Sequence, residues 1–222
     1  MYLWQNPSWA NFTYDEKKLQ NINCEIFNNL GILEGKMSVF GFDSRSENTI
    51  LGFASEIQKS FEIEGVKVSD YALRSSIARK LGLEKIILQN GEELDKIRPH
   101  IDSIVEVVTD AVLNCDEPLT FERLFDWHRK LFGATGEKTF NGLYSIKAGK
   151  FRTDEEGPMR VVSGFGKNET VHFQAMPAEN LQDEMQKFLN WLNKKAENSE
   201  CIVKSAVAHL YFIEIHPFED GN

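Results

Sequence analysis

The chain has 222 residues and a formal net charge of −9, a length that fits one large domain or two small ones. Its 41% hydrophobic residues, with 16 Phe, 4 Trp and 5 Tyr, are enough for a packed core, which excludes disorder for the bulk of the chain and makes a metal or disulfide staple unnecessary. The acidic balance excludes a general nucleic-acid binder and a polybasic membrane-docking protein, and no apolar run approaches the ~18 residues of a membrane span.

The first residues, Met1-Tyr2-Leu3-Trp4-Gln5-Asn6-Pro7, have neither the basic stretch nor the apolar stretch of a signal peptide. Cys24, Cys115 and Cys201 are odd in number, far apart and without a CxxC. They are expected to be reduced, buried thiols of a cytoplasmic protein.

Residues 1–40 are rich in aromatics, and a helix is expected from about Asp15 to Leu33, broken by Gly31 and Gly35. Residues 44–59 read as a second helix capped by Ser44 or Ser46, ending in a turn at Gly65. Ser69 caps a third, with Leu73, Ile77 and Leu81 on one face and Gly82 as its stop. The spacing of Ile97, Ile101, Ile104, Val105, Val108 and Val112 predicts a helix over 94–114, with Pro99 as an alternative start. Thr120 caps the next, whose apolar face holds Phe121, Leu124, Phe125, His128, Leu131 and Phe132. A glycine-rich stretch follows, and within it Met159–Ser163 and Val171–Ala175 read as the strands of a β-hairpin. Pro177 opens an amphipathic helix carrying Leu181, Met185, Phe188, Leu189 and Leu192, and a last helix covers about 202–214. The fold class is therefore mainly α with one hairpin, and the softest boundary falls near Asn90-Gly91.

The last helix runs into His216-Pro217-Phe218-Glu219-Asp220-Gly221-Asn222. Pro217 stops the helix and pushes His216 out of the α region. Phe218 is apolar within a polar segment, as an anchor would be. Asp220-Gly221-Asn222 makes a tight turn whose successive N–H groups can form an anion nest. One imidazole, one hard carboxylate and a nest suit Mg²⁺-assisted phosphate chemistry. The same residues also read as a plain helix terminator followed by an Asp-Gly turn.

These seven residues resemble the opening of the Fic-family signature, HPFx(D/E)GNGRxxR. The run Thr120–Phe132 resembles the early helix of a Fic domain. Gly149–Asp154, Met159–Gly164 and Val171–Ala175 resemble the segment leading into its flap hairpin. Tyr2-Leu3-Trp4-Gln5 and Trp9 resemble a helical module found before some Fic domains. The resemblance implies a Fic fold, with an N-terminal helical module at 1–90 and a Fic core at 91–222 that stops within the signature loop.

The resemblance implies transfer of AMP from ATP to a hydroxyl of a target protein. His216 would be the general base, Asp220 would bind Mg²⁺, Gly221 and Asn222 would belong to the nucleotide-binding anion hole, and Phe218 would be the buried anchor. Met159, Arg160, Val161, Val162, Val171, His172 and Phe173 would form a flap on which the target protein docks by strand addition; a merely structural cover is the other reading of this hairpin. Ser60-Phe61-Glu62-Ile63-Glu64-Gly65 matches the inhibitory pattern (S/T)xxxE(G/N). That match implies that Glu64 pairs with the second arginine of the signature and obstructs the γ-phosphate, with Ser60 one turn before it and Gly65 ending the helix. A solvated Glu near a helix end is the alternative. The Gly and two Arg that complete the signature are not in the sequence, so this chain by itself is expected neither to bind Mg-ATP tightly nor to transfer AMP. Removal of AMP, use of another nucleotide, and a catalytically dead interaction module remain as rival functions, and a homo-oligomer is left open. His100, His128, His172 and His209 are expected in packing or surface roles, and no P-loop occurs.

Overall fold

The computed structural model describes residues 1–63, 67–133, 146–164, 169–196 and 201–222. Among these, the chain is mainly α, with eight α-helices and one two-stranded antiparallel hairpin. In chain order they are α1 (Glu16–Ser38), α2 (Phe42–Ile63), α3 (Asp70–Leu81), α4 (Glu84–Gln89), α5 (Pro99–Leu113), α6 (Phe121–Gly133), β1 (Arg160–Ser163), β2 (Thr170–Gln174), α7 (Leu181–Leu192) and α8 (Cys201–Ile215). Short 3₁₀ turns precede α1 at Leu3–Gln5 and α7 at Ala178–Asn180. No described helix is long and apolar enough to cross a membrane.

Local chemistry sets most of these boundaries. The Ser69 hydroxyl accepts the Ala72 N–H at 3.4 Å to cap α3, and Gly82 closes that helix at φ +68°, in the left-handed region open to glycine. Pro99 begins α5, where its missing N–H has no intrahelical partner to lose. The Thr120 hydroxyl accepts the Arg123 N–H at 3.2 Å at the start of α6. Buried Leu181, Met185, Phe188 and Leu189 form the apolar stripe of α7.

Three expectations change, and one helix, α4, is additional to them. α1 runs straight through Gly31 and Gly35. Both face open space, so each costs only the ~1 kcal/mol of glycine's low helix propensity, which the flanking turns absorb. α2 begins at Phe42, which leaves Ser44 and Ser46 inside its first turns rather than at a cap. α4 has six residues, too few to show a period, and is held by burial of Ile86 and Ile87. Cys24, Cys115 and Cys201 are all exposed rather than buried; Cys24 lies on α1, none of whose residues is buried.

The described residues form two compact units that are not contiguous in sequence. One comprises Glu25–Glu117 with Arg129–Gly136. Its core joins Ile50 and Ile57 of α2, Leu73 and Ile77 of α3, Ile86 and Ile87 of α4, and Ile101, Ile104 and Val105 of α5. The other comprises Met1–Cys24, Pro118–His128 and Glu137–Asn222. Its core holds Leu124, Met176, Leu181, Met185, Phe188, Leu189, Tyr211, Ile215 and Phe218.

Within this second core lies a buried carboxylate, Glu184. Its Oε1 accepts from the Trp9 indole at 2.7 Å and the Tyr211 hydroxyl at 2.9 Å, and its Oε2 from Lys187 at 3.0 Å. Burial alone would raise its pKa; the donors outweigh burial and hold the carboxyl below its ordinary range. Tyr211→Phe removes one of these charge-assisted bonds without changing the ring packing. It should lower stability by ~1.5–3 kcal/mol, read from the urea midpoint followed by tryptophan fluorescence; an unchanged midpoint would refute the role given to the bond.

Candidate functional site

The site is built where α8 ends. Ile215 is fully buried, and the next residue, His216, turns out of the helix at φ +52° while its N–H still donates to the Phe212 carbonyl at 3.0 Å. A left-handed backbone is unusual for a residue with a Cβ and is held only where the surroundings enforce it.

Arg152 supplies that enforcement. It is 3% exposed, and it grips the loop from both backbone and side chain. Its N–H donates to the Pro217 carbonyl at 2.9 Å and its Nε to the His216 carbonyl at 2.7 Å. Its remaining nitrogens donate to the Met176 carbonyl, just past β2, at 2.6 Å and to Asp154 Oδ1 at 2.9 Å. Asp154 Oδ2 accepts the Ala178 N–H at 2.7 Å, at the 3₁₀ turn that leads into α7. One planar guanidinium thus joins the His216 loop, the exit of the hairpin and the entry to α7. Its fixed fork of donors suits this geometry as a lysine would not.

The loop after His216 is closed on itself. Asn222 Oδ1 accepts the Phe218 N–H at 2.7 Å, and Asn222 Nδ2 donates to the Phe218 carbonyl at 2.9 Å. Both polar atoms of the Asn222 side chain are therefore committed to holding the loop. Gly221 sits at φ +75°, and its N–H donates to Asp220 Oδ1 at 2.8 Å. Glu219 Oε2 accepts the Lys147 N–H at 3.0 Å. Phe218 is 1% exposed and packs among Phe125, Phe151 and Phe212.

His128 of α6 lies beneath this loop, stacked on Phe218 with ring centroids 4.1 Å apart. The Gly149 N–H donates to its Nδ1 at 2.9 Å, so Nδ1 is the acceptor and the ring proton sits on Nε2, which donates to the Asp220 carbonyl at 3.0 Å. Burial pushes the His128 pKa down, against the opposing pull of the Asp220 carbonyl and the charges of Asp220 and Glu219. The neutral ring is the one that both hydrogen bonds require.

His216 itself is partly exposed, with Nδ1 buried and without a hydrogen-bond partner among the described residues. Burial, and then the charge of Arg152, push its pKa below the ordinary histidine value, against the Ile213 backbone and Asp220. A neutral imidazole near pH 7 is a competent proton acceptor. The hairpin lies beside it: the Phe173 ring is 6.2 Å from the His216 ring. Arg160 pairs with Gln174, Val161 with Phe173, Val162 with Val171 and Ser163 with Thr170, so His172 is the extra residue of a bulge on β2. His172 Nε2 meets the Ser163 hydroxyl. Val161, Val162 and Val171 are exposed, while Met159 and Phe173 are half-buried.

The structure thus brings His216, Phe218, Asp220, Gly221, Asn222 and Phe173 together in one unit. Ser60 is exposed near the end of α2 in the other unit, and Glu64 and Gly65 lie outside the described residues. No group of three His, Cys, Asp or Glu side chains that could hold a metal occurs among the described residues. Asp220 offers a single carboxylate, which suits a Mg²⁺ carried mainly by substrate phosphates and water rather than by a protein cage. Sequence reading missed Arg152 as a site residue, the loop contacts of His128 and the staple made by Asn222. For Arg152 the available signal was a lone Arg-x-Asp between Gly149 and Gly157.

Arg152→Lys should lower stability by ~2–4 kcal/mol, because it leaves buried carbonyls of His216 or Met176 unpaired; a urea midpoint within error of wild type would contradict this. His128 gives a pH dependence. A histidine with a folded pKa below its unfolded ~6.5 stabilises fully above that pH and loses the contribution as pH falls toward the folded value. The melting temperature should therefore drop between pH 7 and pH 5, and His128→Phe should lower it at pH 7 yet flatten this acid slope. An equal slope in both proteins would show that His128 titrates as in the unfolded chain.

Comparison with protein families matches residues 118–222 to the Fic/DOC family and residues 2–83 to a domain of unknown function, DUF4172. The "Protein adenylyltransferase Fic" of Nematostella vectensis is 26% identical over 172 residues, covering 77% of this chain and 34% of the relative. That of Culex quinquefasciatus is 26% identical over 174 residues, covering 77% of this chain and 29% of the relative. The chain thus spans about a third of the length of these relatives. A solved Fic family protein from Desulfovibrio desulfuricans G20 aligns with 79% of this chain and 53% of its own, at 20% identity and a TM-score of 0.36. Holding α6, the hairpin, α8 and the loop closed by Asn222, residues 118–222 form a Fic/DOC family domain.

Proposed function

We propose that this chain carries the base and acceptor-docking part of a protein adenylyltransferase that moves AMP from ATP to a hydroxyl side chain of a target protein. The observation that carries the reading is a half-buried imidazole at His216, held by a strained and cross-braced backbone, four residues before Asp220 and beside an exposed apolar hairpin. The relatives named protein adenylyltransferases support the reaction class.

In this reading the target hydroxyl oxygen attacks the α-phosphorus, its proton passes to His216, and pyrophosphate leaves. Asp220 would hold Mg²⁺ on the phosphates, where the ion neutralises charge. Asn222 keeps the shape of the loop through Phe218, and Gly221 supplies the positive-φ backbone that the turn needs. The flap residues Met159–Val162 and Val171–Phe173 would receive the target by strand addition, a role to which the exposed Val161, Val162 and Val171 are suited. A cytoplasmic setting fits ATP as donor.

The test uses a chain extended through the two arginine positions of the signature, with α-labelled ATP and cell lysate. His216→Ala should cut AMP incorporation by ~10²–10⁴-fold while leaving Mg-ATP affinity nearly unchanged. Retained incorporation would move the base elsewhere. Label lost from an already modified target, rather than gained, would favour AMP removal, and neither outcome would leave an interaction module.

The Ser60–Gly65 pattern supports autoinhibition in the same protein. A carboxylate at Glu64 paired to a phosphate-binding arginine would misplace the γ-phosphate, biasing the bound pose by ~1–3 kcal/mol. Glu64→Gly should then raise AMP incorporation ~5–150-fold at saturating ATP. Equal rates in the two proteins would reject inhibition by Glu64.

A further inference from the structure

The first twelve residues belong to the same compact unit as the signature loop. They are built as a pre-formed piece. The Tyr2 N–H donates to Gln5 Oε1 at 2.9 Å and the Gln5 N–H returns to the Tyr2 carbonyl at 3.1 Å, closing the 3₁₀ turn. Asn6 Oδ1 accepts both the N–H and the hydroxyl of Ser8. Ala10 makes a further turn at φ +64°.

One end of this piece is anchored away from the hairpin. Trp9 donates its indole N–H to the buried Glu184 of α7. The Trp9 and Phe12 rings lie 5.1 and 5.5 Å from the Tyr211 ring of α8. The other end reaches the flap. Trp4 Nε1 donates to the Gln174 carbonyl of β2 at 2.7 Å. The Ala175 N–H bonds Met159 across the hairpin, so the adjoining Arg160–Gln174 pair is of the wide, non-bonded kind and its carbonyls face outward. The Trp4 indole therefore fills an acceptor on the outer edge of β2. Tyr2 stands edge-on to Phe173 at 6.1 Å, and Phe173 is 6.2 Å from His216.

We propose that residues 2–12 are a strap that braces the flap from its outer edge, with Trp4 positioning β2 and, through Phe173, the His216 ring. A two-stranded hairpin is only marginally stable on its own, and this one carries a bulge and three exposed valines. An external brace gives it one pose. The strap also occupies the β2 edge at Gln174, which would direct an extended peptide to the β1 edge. That last consequence rests on the docking role proposed above; the bracing itself does not.

The test is amide hydrogen exchange and histidine-ring NMR on the 222-residue chain. Trp4→Phe keeps a ring and deletes the donor. It should speed exchange of the Thr170–Gln174 amides by ~10-fold and shift the His216 ring signals, while the slowest amides of α7 change less. Leu124→Ala, a core substitution on α6, should instead move the slow α7 amides without favouring the flap. Tyr2→Leu removes the ring contacts with Phe173 and with Trp4 but keeps the Trp4 donor, and serves as the second variant should Trp4→Phe fail to fold; it should also shift the His216 signals. Flap exchange that stays at the wild-type rate, or rises only in step with α7, would overturn the strap. A flap that responds in a protein that transfers no AMP in its extended form would support the strap and count against the reaction instead.

Discussion

The buried guanidinium of Arg152 is the interaction on which the site depends. Burying a cation without compensation is expensive, and the Arg152 guanidinium is compensated by two backbone carbonyls, of His216 and Met176, and by its ion pair with Asp154. The carbonyls belong to the signature loop and the hairpin exit, and Asp154 in turn accepts the Ala178 N–H at the entry to α7. Each is a backbone carbonyl or a short carboxylate, so none has slack to follow a displaced partner. The left-handed backbone at His216 is held because its carbonyl is the one aimed at Arg152 Nε.

A second layer of restraint lies below and inside the loop. His128 reads two backbone groups at once, Gly149 N–H and Asp220 C=O, and its ring stacks on Phe218. Asn222 closes the loop through both backbone polar groups of Phe218. The result is a loop in which His216 is fixed by its main chain, and Asp220 by its carbonyl and by the Gly221 N–H on Oδ1, with Asp220 Oδ2 and His216 Nδ1 given no hydrogen-bond partner among the described residues. Such preorganisation is what phosphoryl-group transfer asks of a protein, since positioning and charge neutralisation do most of the work.

What could be read from the sequence was local. The capped helix between Ser69 and Gly82, the cap at Thr120, the hairpin strands and the run from His216 to Asn222 are each written in consecutive or periodic residues. Contacts across distance were not. Arg152 meets His216 64 positions away, His128 meets Asp220 92 positions away, and Trp4 meets Gln174 170 positions away. An arginine, a histidine on an apolar helix face and an N-terminal tryptophan carry no mark of such partners. α1 shows the converse failure: two glycines read as breaks, yet with open space around them they cost too little to stop a helix of 23 residues.

The pH dependence of AMP incorporation by the extended chain bears most directly on the assignment of His216 as a base held neutral by its braced surroundings. Burial and Arg152 depress its pKa below the ordinary 6.5. The rate should therefore rise through a single step below about pH 6.5 and be level by about pH 7. A rate that is still climbing above about pH 7.5, or one that is indifferent to pH between about 5 and 7, would contradict a neutral His216 as the proton acceptor.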